Sequence, residues 1–184
     1  MANYSNRQDN KSQKGDKMEE KVLLIRRVSK KIPGGNYVTF SALVAVGDGH
    51  GRVGVGLGRA LEVPPAIQQA IAQAKKRMVK VPIYRSTLPH SIVLKYKAAK
   101  ILLKPAPEGT GLKVGGVART ILDLAGVYNA SGKLIGSRNQ VVNAYAVIEA
   151  IKKLKGRRAP QYNSQSKEVK KVLPAQKAKN IKES

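Results

Sequence analysis

The chain has 184 residues, 42% of them hydrophobic, with 35 Lys and Arg against 11 Asp and Glu for a formal charge of +24. That apolar fraction is too high for a disordered chain, and no apolar run approaches the roughly 18 residues of a membrane span. The polar Met1–Glu20 segment lacks the apolar stretch of a secretory signal, and with no Cys there is no disulfide framework, thiolate nucleophile or thiolate-held metal.

The expectation is a soluble intracellular protein with a polyanionic partner, no membrane and no cofactor. The charge is unevenly spread, with a net of +1 over residues 1–21, +14 over 22–151 and +9 over 152–184. A middle region that folds against its own repulsion carries that charge for a partner, and nucleic acid fits better than a lipid surface.

Residues 1–20 read as a flexible tail. Val22-Leu23-Leu24-Ile25 opens the first folded unit and runs into Arg26-Arg27-Val28-Ser29-Lys30-Lys31, after which Pro33-Gly34-Gly35-Asn36 supplies turn residues. Tyr37 to Val46, rich in β-branched and aromatic residues, predicts a long strand. Gly47-Asp48-Gly49-His50-Gly51 is a glycine-dominated turn. Arg52 to Gly58 then alternates, with Val53, Val55 and Leu57 on one face and three glycines on the other, a face that invites close approach by another element. From Glu62 the period turns helical through Val63, Ile67, Ala70, Ile71, Ala74 and Met78, with Pro64-Pro65 in a first turn that tolerates proline.

Pro82 to Pro89 reads as a linker. A second unit begins with the short apolar runs Ile92-Val93-Leu94 and Ile101-Leu102-Leu103, and Lys104 to Gly111 reads as a shaped loop. Gly115-Gly116 precede a helix with Val117, Ile121, Leu122 and Ala125 on one side, and Val127 to Ile135 predicts a strand broken at Asn129 and Ser131-Gly132. Asn139 caps a last helix running to Leu154, and Gly156 stops it. The fold class is α+β in two small domains, residues 21–84 and 90–156, followed by a basic extension over 157–184 that only an anionic partner would order.

Several motifs have plain structural readings. Gly49-His50-Gly51-Arg52-Val53-Gly54 matches G-x-G-x-x-G, but a dinucleotide site needs a helix N-terminus after the glycines, and an alternating strand follows here. His50 and His90 are the only histidines, without partners at metal-ligand spacing, and five carboxylates scattered over residues 22–151 suggest no acid–base pair. The segment Arg26 to Asn36 is different. Four bases lead into paired glycines whose bare backbone can approach an RNA groove. Lys75-Lys76-Arg77 and Lys80 are equally readable as a solvated helix face or as phosphate contacts. One Phe and seven Tyr are too few for a stacking platform, which favours shaped or double-stranded RNA.

Arg27-Val28-Ser29-Lys30, Gly34-Gly35 and the run from Phe40 to Gly56 closely resemble the family of bacterial-type small-subunit ribosomal protein five. So do Glu62-Val63-Pro64, Pro105-Ala106-Pro107-Glu108-Gly109-Thr110-Gly111, Gly115-Gly116, Ala125-Gly126-Val127 and Gly136-Ser137, so that the likeness covers about residues 20–155. The resemblance implies an N-terminal double-stranded-RNA-binding-like sheet with one helix and a C-terminal left-handed βαβ-type domain. It also implies a structural component, not an enzyme, that binds small-subunit ribosomal RNA and steadies the head on the body. Such a component contacts ribosomal proteins four and eight, sits near the side where messenger RNA enters, and influences decoding accuracy. The loop matching Val28 to Gly35 would reach head RNA, and Glu108, Gly109, Thr110 and Gly111 would face protein four.

The expected RNA contacts are Arg26, Arg27, Ser29, Lys30, Lys31, Gly34, Gly35 and Asn36, with Arg52, Arg59, Arg119 and Arg138 added from charge and position. The alternatives are a free-standing duplex-RNA binder and a phosphate-handling enzyme using Gly115-Gly116 at a helix N-terminus. The expected place is the cytoplasmic small subunit, an organelle ribosome being the other setting.

Overall fold

Ala42 to Val46 is apolar at every position, a pattern a strand can carry only when both faces of its sheet are covered. In the computed structural model, which describes residues 18–156, both faces are covered. Four antiparallel strands, β1 (Glu19–Ile32), β2 (Gly35–Gly47), β3 (Arg52–Ala60) and the short β4 (Val79–Lys80), lie in the order β1-β2-β3-β4. Helix α1 (Val63–Lys76) covers one face, where Val44 and Val46 meet Ala70 and Ala74. Leu43, Ala45, Val53 and Val55 point the other way, into a core shared with the second unit.

The glycine face of β3 is the seat of α1. Gly54, Gly56 and Gly58 stand against the backbone of Ala74, Ala70 and Ala66, and a Cβ on Gly56 would lie 2.6 Å from the Ala74 amide nitrogen. Ala66, Ala70 and Ala74 are fully buried and make the closest contact; Ala70 and Ala74 belong to the stripe read in the sequence, whose Ile67 and Ile71 pack partly buried against the same cluster, and Ala66 is added to it. Two glutamines serve the free edge of β3. Gln73 Oε1 accepts from the Leu57 amide at 2.6 Å and Gln69 Oε1 from the Arg59 amide at 3.4 Å, so the helix covers an edge that would otherwise stay unpaired.

The second sheet has the order β5-β6-β8-β7, from β5 (Ile92–Tyr96), β6 (Ala99–Pro105), β7 (Leu112–Lys113) and β8 (Ala130–Ile135). β7 and β8 are parallel and joined through α2 (Gly116–Leu124), a βαβ unit, and α3 (Gln140–Lys153) follows with Asn139 Oδ1 accepting from the Val141 amide at 3.1 Å. β8 is continuous. Gly132 lies inside it because a side chain there would meet the Leu103 side chain at 2.9 Å, so the expected break is a close approach between paired strands. The two-residue β7 carries too little pattern to be read in advance.

Pro82 to Pro89 is tied down. Tyr84 and Thr87 exchange backbone bonds of 2.9 and 3.0 Å, the Ser86 carbonyl accepts from the Tyr128 and Asn129 amides, and Leu88 is 1% exposed. Of the tail expected over residues 1–20, residues 1–17 lie outside the described residues while Glu19 and Glu20 open β1, and the extension after 156 also lies outside them. No described helix is long and apolar enough to cross a membrane.

The glycine turn between β2 and β3 clasps the two units. The amides of Gly49 and Gly51 donate to the carbonyls of Leu124 and Ala125 at 3.0 and 2.9 Å, and Gly126, with φ of +83°, leaves room for the Gly49 backbone. The Asp48 side chain is only 2% exposed, and it accepts from the His50 and Arg52 amides, both at 2.8 Å, and from Arg52 Nε at 2.7 Å. Burial pushes its pKa up, but the bonds from Arg52 and His50 outweigh that and hold it below the usual carboxylate value. The G-x-G-x-x-G run is therefore an interdomain turn. Lys21 of β1 adds a bond of 2.9 Å to Asp123 of α2.

Candidate nucleic-acid interface

β3 supports β2 only as far as the pair Phe40–Ala60. Beyond it, among the described residues, β1 and β2 have only each other for five further pairs, from Val28–Thr39 to Ile32–Gly35, an arm of roughly 17 Å at about 3.3 Å per residue. Residues 25–37 are exposed without exception, and no acid stands between Glu20 and Asp48. A two-stranded ribbon with neither face covered is marginal by itself. It nevertheless displays Ile25, Val28, Ile32 and Tyr37 together with its four bases.

This revises where the basic segment lies. The four bases do not precede a loop. They sit inside β1, Gly35 and Asn36 belong to β2, and only Pro33 and Gly34 turn the chain, with Gly34 at φ of +95°. Proline's fixed φ and a glycine free to take positive φ make so short a turn, and pairing then runs to the tip. Strand alternation sorts the side chains. Arg26, Val28 and Lys30 share one face with Tyr37 and Thr39, while Arg27, Ser29 and Lys31 share the other with Asn36 and Phe40. The arm is basic on both faces.

The remaining arginines separate. Arg59 stands opposite Ser41, on the same face as Arg26 and Lys30 at the root of the arm. Arg52 lies at the far end of β3 and holds Asp48, so its guanidinium serves the interdomain turn. Arg119 is exposed on α2 and Arg138 in the loop before α3, both outside the arm. At the end of α1, Lys75 is bound to Glu20 at 2.9 Å and Lys76 is exposed, as are Arg77 just past the helix and Lys80 in β4.

The Glu108–Gly111 loop is shaped from within. The Thr110 amide donates to the Pro107 carbonyl, Gly109 and Gly111 take φ of +84° and +71°, and the buried Asn129 accepts from the Gly111 amide at 3.1 Å. Thr87 Oγ1 donates to the Asn129 carbonyl at 2.6 Å and accepts from the Ala106 amide at 3.2 Å. Asn129 and Thr87 thus join three loops. Neither carries a sequence signal for that task, and the same holds for Asp48.

A family model described as "Ribosomal protein S5, N-terminal domain" matches residues 18–82, and one described as "Ribosomal protein S5, C-terminal domain" matches residues 94–162. The first span contains the arm, its sheet and α1, and the second contains most of the βαβ-bearing unit with α3. Together the matches cover most of the sequence in domain order, and the chain belongs to the ribosomal protein S5 family, the RNA-binding proteins of the small ribosomal subunit that act in translation.

Proposed function

We propose that this protein is a structural clamp on small-subunit ribosomal RNA, without catalysis, and that the β1–β2 arm is its principal grip. The observation that carries the reading is a ribbon with four bases, no acid and, among the described residues, no covering element on either face. Arg26, Arg27, Lys30 and Lys31 neutralise phosphates on both sides of the ribbon. Ser29, Gly34, Gly35 and Asn36 bring hydroxyl, backbone and amide groups against the RNA groove. The clasp at Asp48 and Gly126 fixes the angle between the units, so bases on both, Arg59 on one and Arg119 and Arg138 on the other, hold separate RNA elements at a set distance. The guanidinium of Arg52 is engaged by Asp48 and contributes to that angle before it contributes to RNA.

The family likeness supports the finer assignment. The arm reaches head RNA and steadies the head on the body near the side where messenger RNA enters, with an effect on decoding accuracy. Glu108, Gly109, Thr110 and Gly111 face protein four, and protein eight is the other protein neighbour. The division into units at 21–84 and 90–156 and a place in the cytoplasmic small subunit belong to the same reading.

Because the chain has no Cys, a single Ser29→Cys substitution accepts one tethered cleaving reagent. In subunits assembled with that variant, cleavage should be confined to head RNA, and a reagent on Glu108→Cys should cut near protein four. Cleavage spread evenly over the RNA from Ser29→Cys would overturn the assignment.

A further inference from the structure

At the root of the arm lies a cavity of about 470 Å³ lined by Val28, Lys30, Tyr37, Thr39, Arg59 and Leu61 among others. The register explains why these groups meet. Lys30 is opposite Tyr37, Val28 opposite Thr39 and Arg59 opposite Ser41, so all point from one face of the sheet. Tyr37 is 47% and Leu61 59% exposed, and no acid is among the lining residues.

We infer that this cavity seats one unstacked nucleotide of the RNA, its base on the Tyr37 ring and its phosphate between Lys30 and Arg59. The inference rests on the proposed RNA-binding role of the arm and adds a site to it. Its volume is on the scale of small-molecule sites, about 300–1,000 Å³. Phosphates along a duplex are met by protruding charges and need no concavity. A base swung out of its helix needs an aromatic or apolar floor, and unpaired bases are commonly held that way. A ring lining the same cavity as two cations separates a nucleotide from a bare phosphate, for which the cations suffice. Too few aromatics for a platform is no obstacle to one seat.

The test uses the full chain and intact small-subunit ribosomal RNA. Tyr37→Ala should weaken binding about 5- to 160-fold, the range one stacked base is worth, with the salt dependence unchanged. Tyr37→Phe keeps the ring and should bind like the original chain. Arg59→Gln should weaken binding and flatten the salt dependence by about one charge. Ultraviolet irradiation of the complex should join Tyr37 to one particular nucleotide. If Tyr37→Ala binds within twofold of the original chain while losing the arm's bases weakens binding, the seat is refuted and the RNA reading stands. That result would also be expected of a cavity that takes an acidic protein segment. If removing the bases has no effect either, the RNA reading itself fails.

Discussion

Alanine at Gly56 tests the packing that holds the arm's sheet together. The added methyl would stand 2.6 Å from the Ala74 nitrogen and nearer still to the Ala70 carbonyl oxygen, against 3.4 Å for ordinary contact. Both are backbone atoms, so no side-chain rotation relieves the clash, and α1 must retreat by roughly 0.8 Å or more. Overpacking of this kind costs about 1–3 kcal/mol. The retreat also stretches the Gln73 and Gln69 bonds to the edge of β3, which places the expected cost near the top of that range. For a protein of this size the melting midpoint should fall by about 6–12 °C. Circular dichroism melts and urea titrations at an unchanged denaturant slope would measure it. Gly116→Ala is the control, since a methyl there meets nothing within 4 Å, and it should stay within about 2 °C. Equal midpoints for the two variants would refute the close seating of α1 on β3.

Three further outcomes follow from the clasp and the loops. The folded pKa of Asp48 lies below its ordinary 3.8, so the carboxylate contributes stability above that pH and loses it as pH falls through the folded value. Asp48→Asn should cost about 1–3 kcal/mol at neutral pH and fall less steeply on acidification, read as urea midpoints at each pH, and identical pH profiles would count against it. Gly126→Ala combines a positive φ with a contact of 2.8 Å to the Gly49 carbonyl carbon, and it should speed hydrogen exchange at the Gly49 and Gly51 amides. Exchange unaltered there would show that the units do not meet at this turn. Asn129→Leu strips the Gly111 amide of its acceptor and should cost about 1–3 kcal/mol, with faster proteolysis in the Glu108–Gly111 loop as the readout.

Most elements were legible because their signals are local. The alternation of Arg52 to Gly58, the helical stripe after Glu62 and the Asn139 cap each state their structure within one turn or a few residues of strand. The glycine face of β3 announced a close neighbour, though only the fold shows that Ala66, Ala70 and Ala74 fill it. What stayed hidden depends on partners far along the chain. Gly132 looks like a break until Leu102 and Leu103 are beside it. The glycines at 49 and 51 look like a turn alone until Leu124 and Ala125 supply the carbonyls. At the candidate interface the basic residues were visible from composition, but their division between two faces needed the register across Pro33-Gly34. Tyr37 was passed over because an isolated aromatic acquires meaning only once the fold sets it in one cavity with Lys30 and Arg59.

In the proposed clamp the four bases of the arm grip ribosomal RNA through its phosphates. Binding of the full chain and of an Arg26→Gln, Arg27→Gln, Lys30→Gln, Lys31→Gln variant to small-subunit ribosomal RNA should be measured over a range of salt, with an equally long generic duplex as competitor. With each phosphate contact releasing about 0.9 counterions, the variant's logarithmic salt slope should be shallower by about 3–4, and its preference for ribosomal RNA should shrink. An unchanged slope and an unchanged preference would contradict the account and move the RNA grip away from the arm.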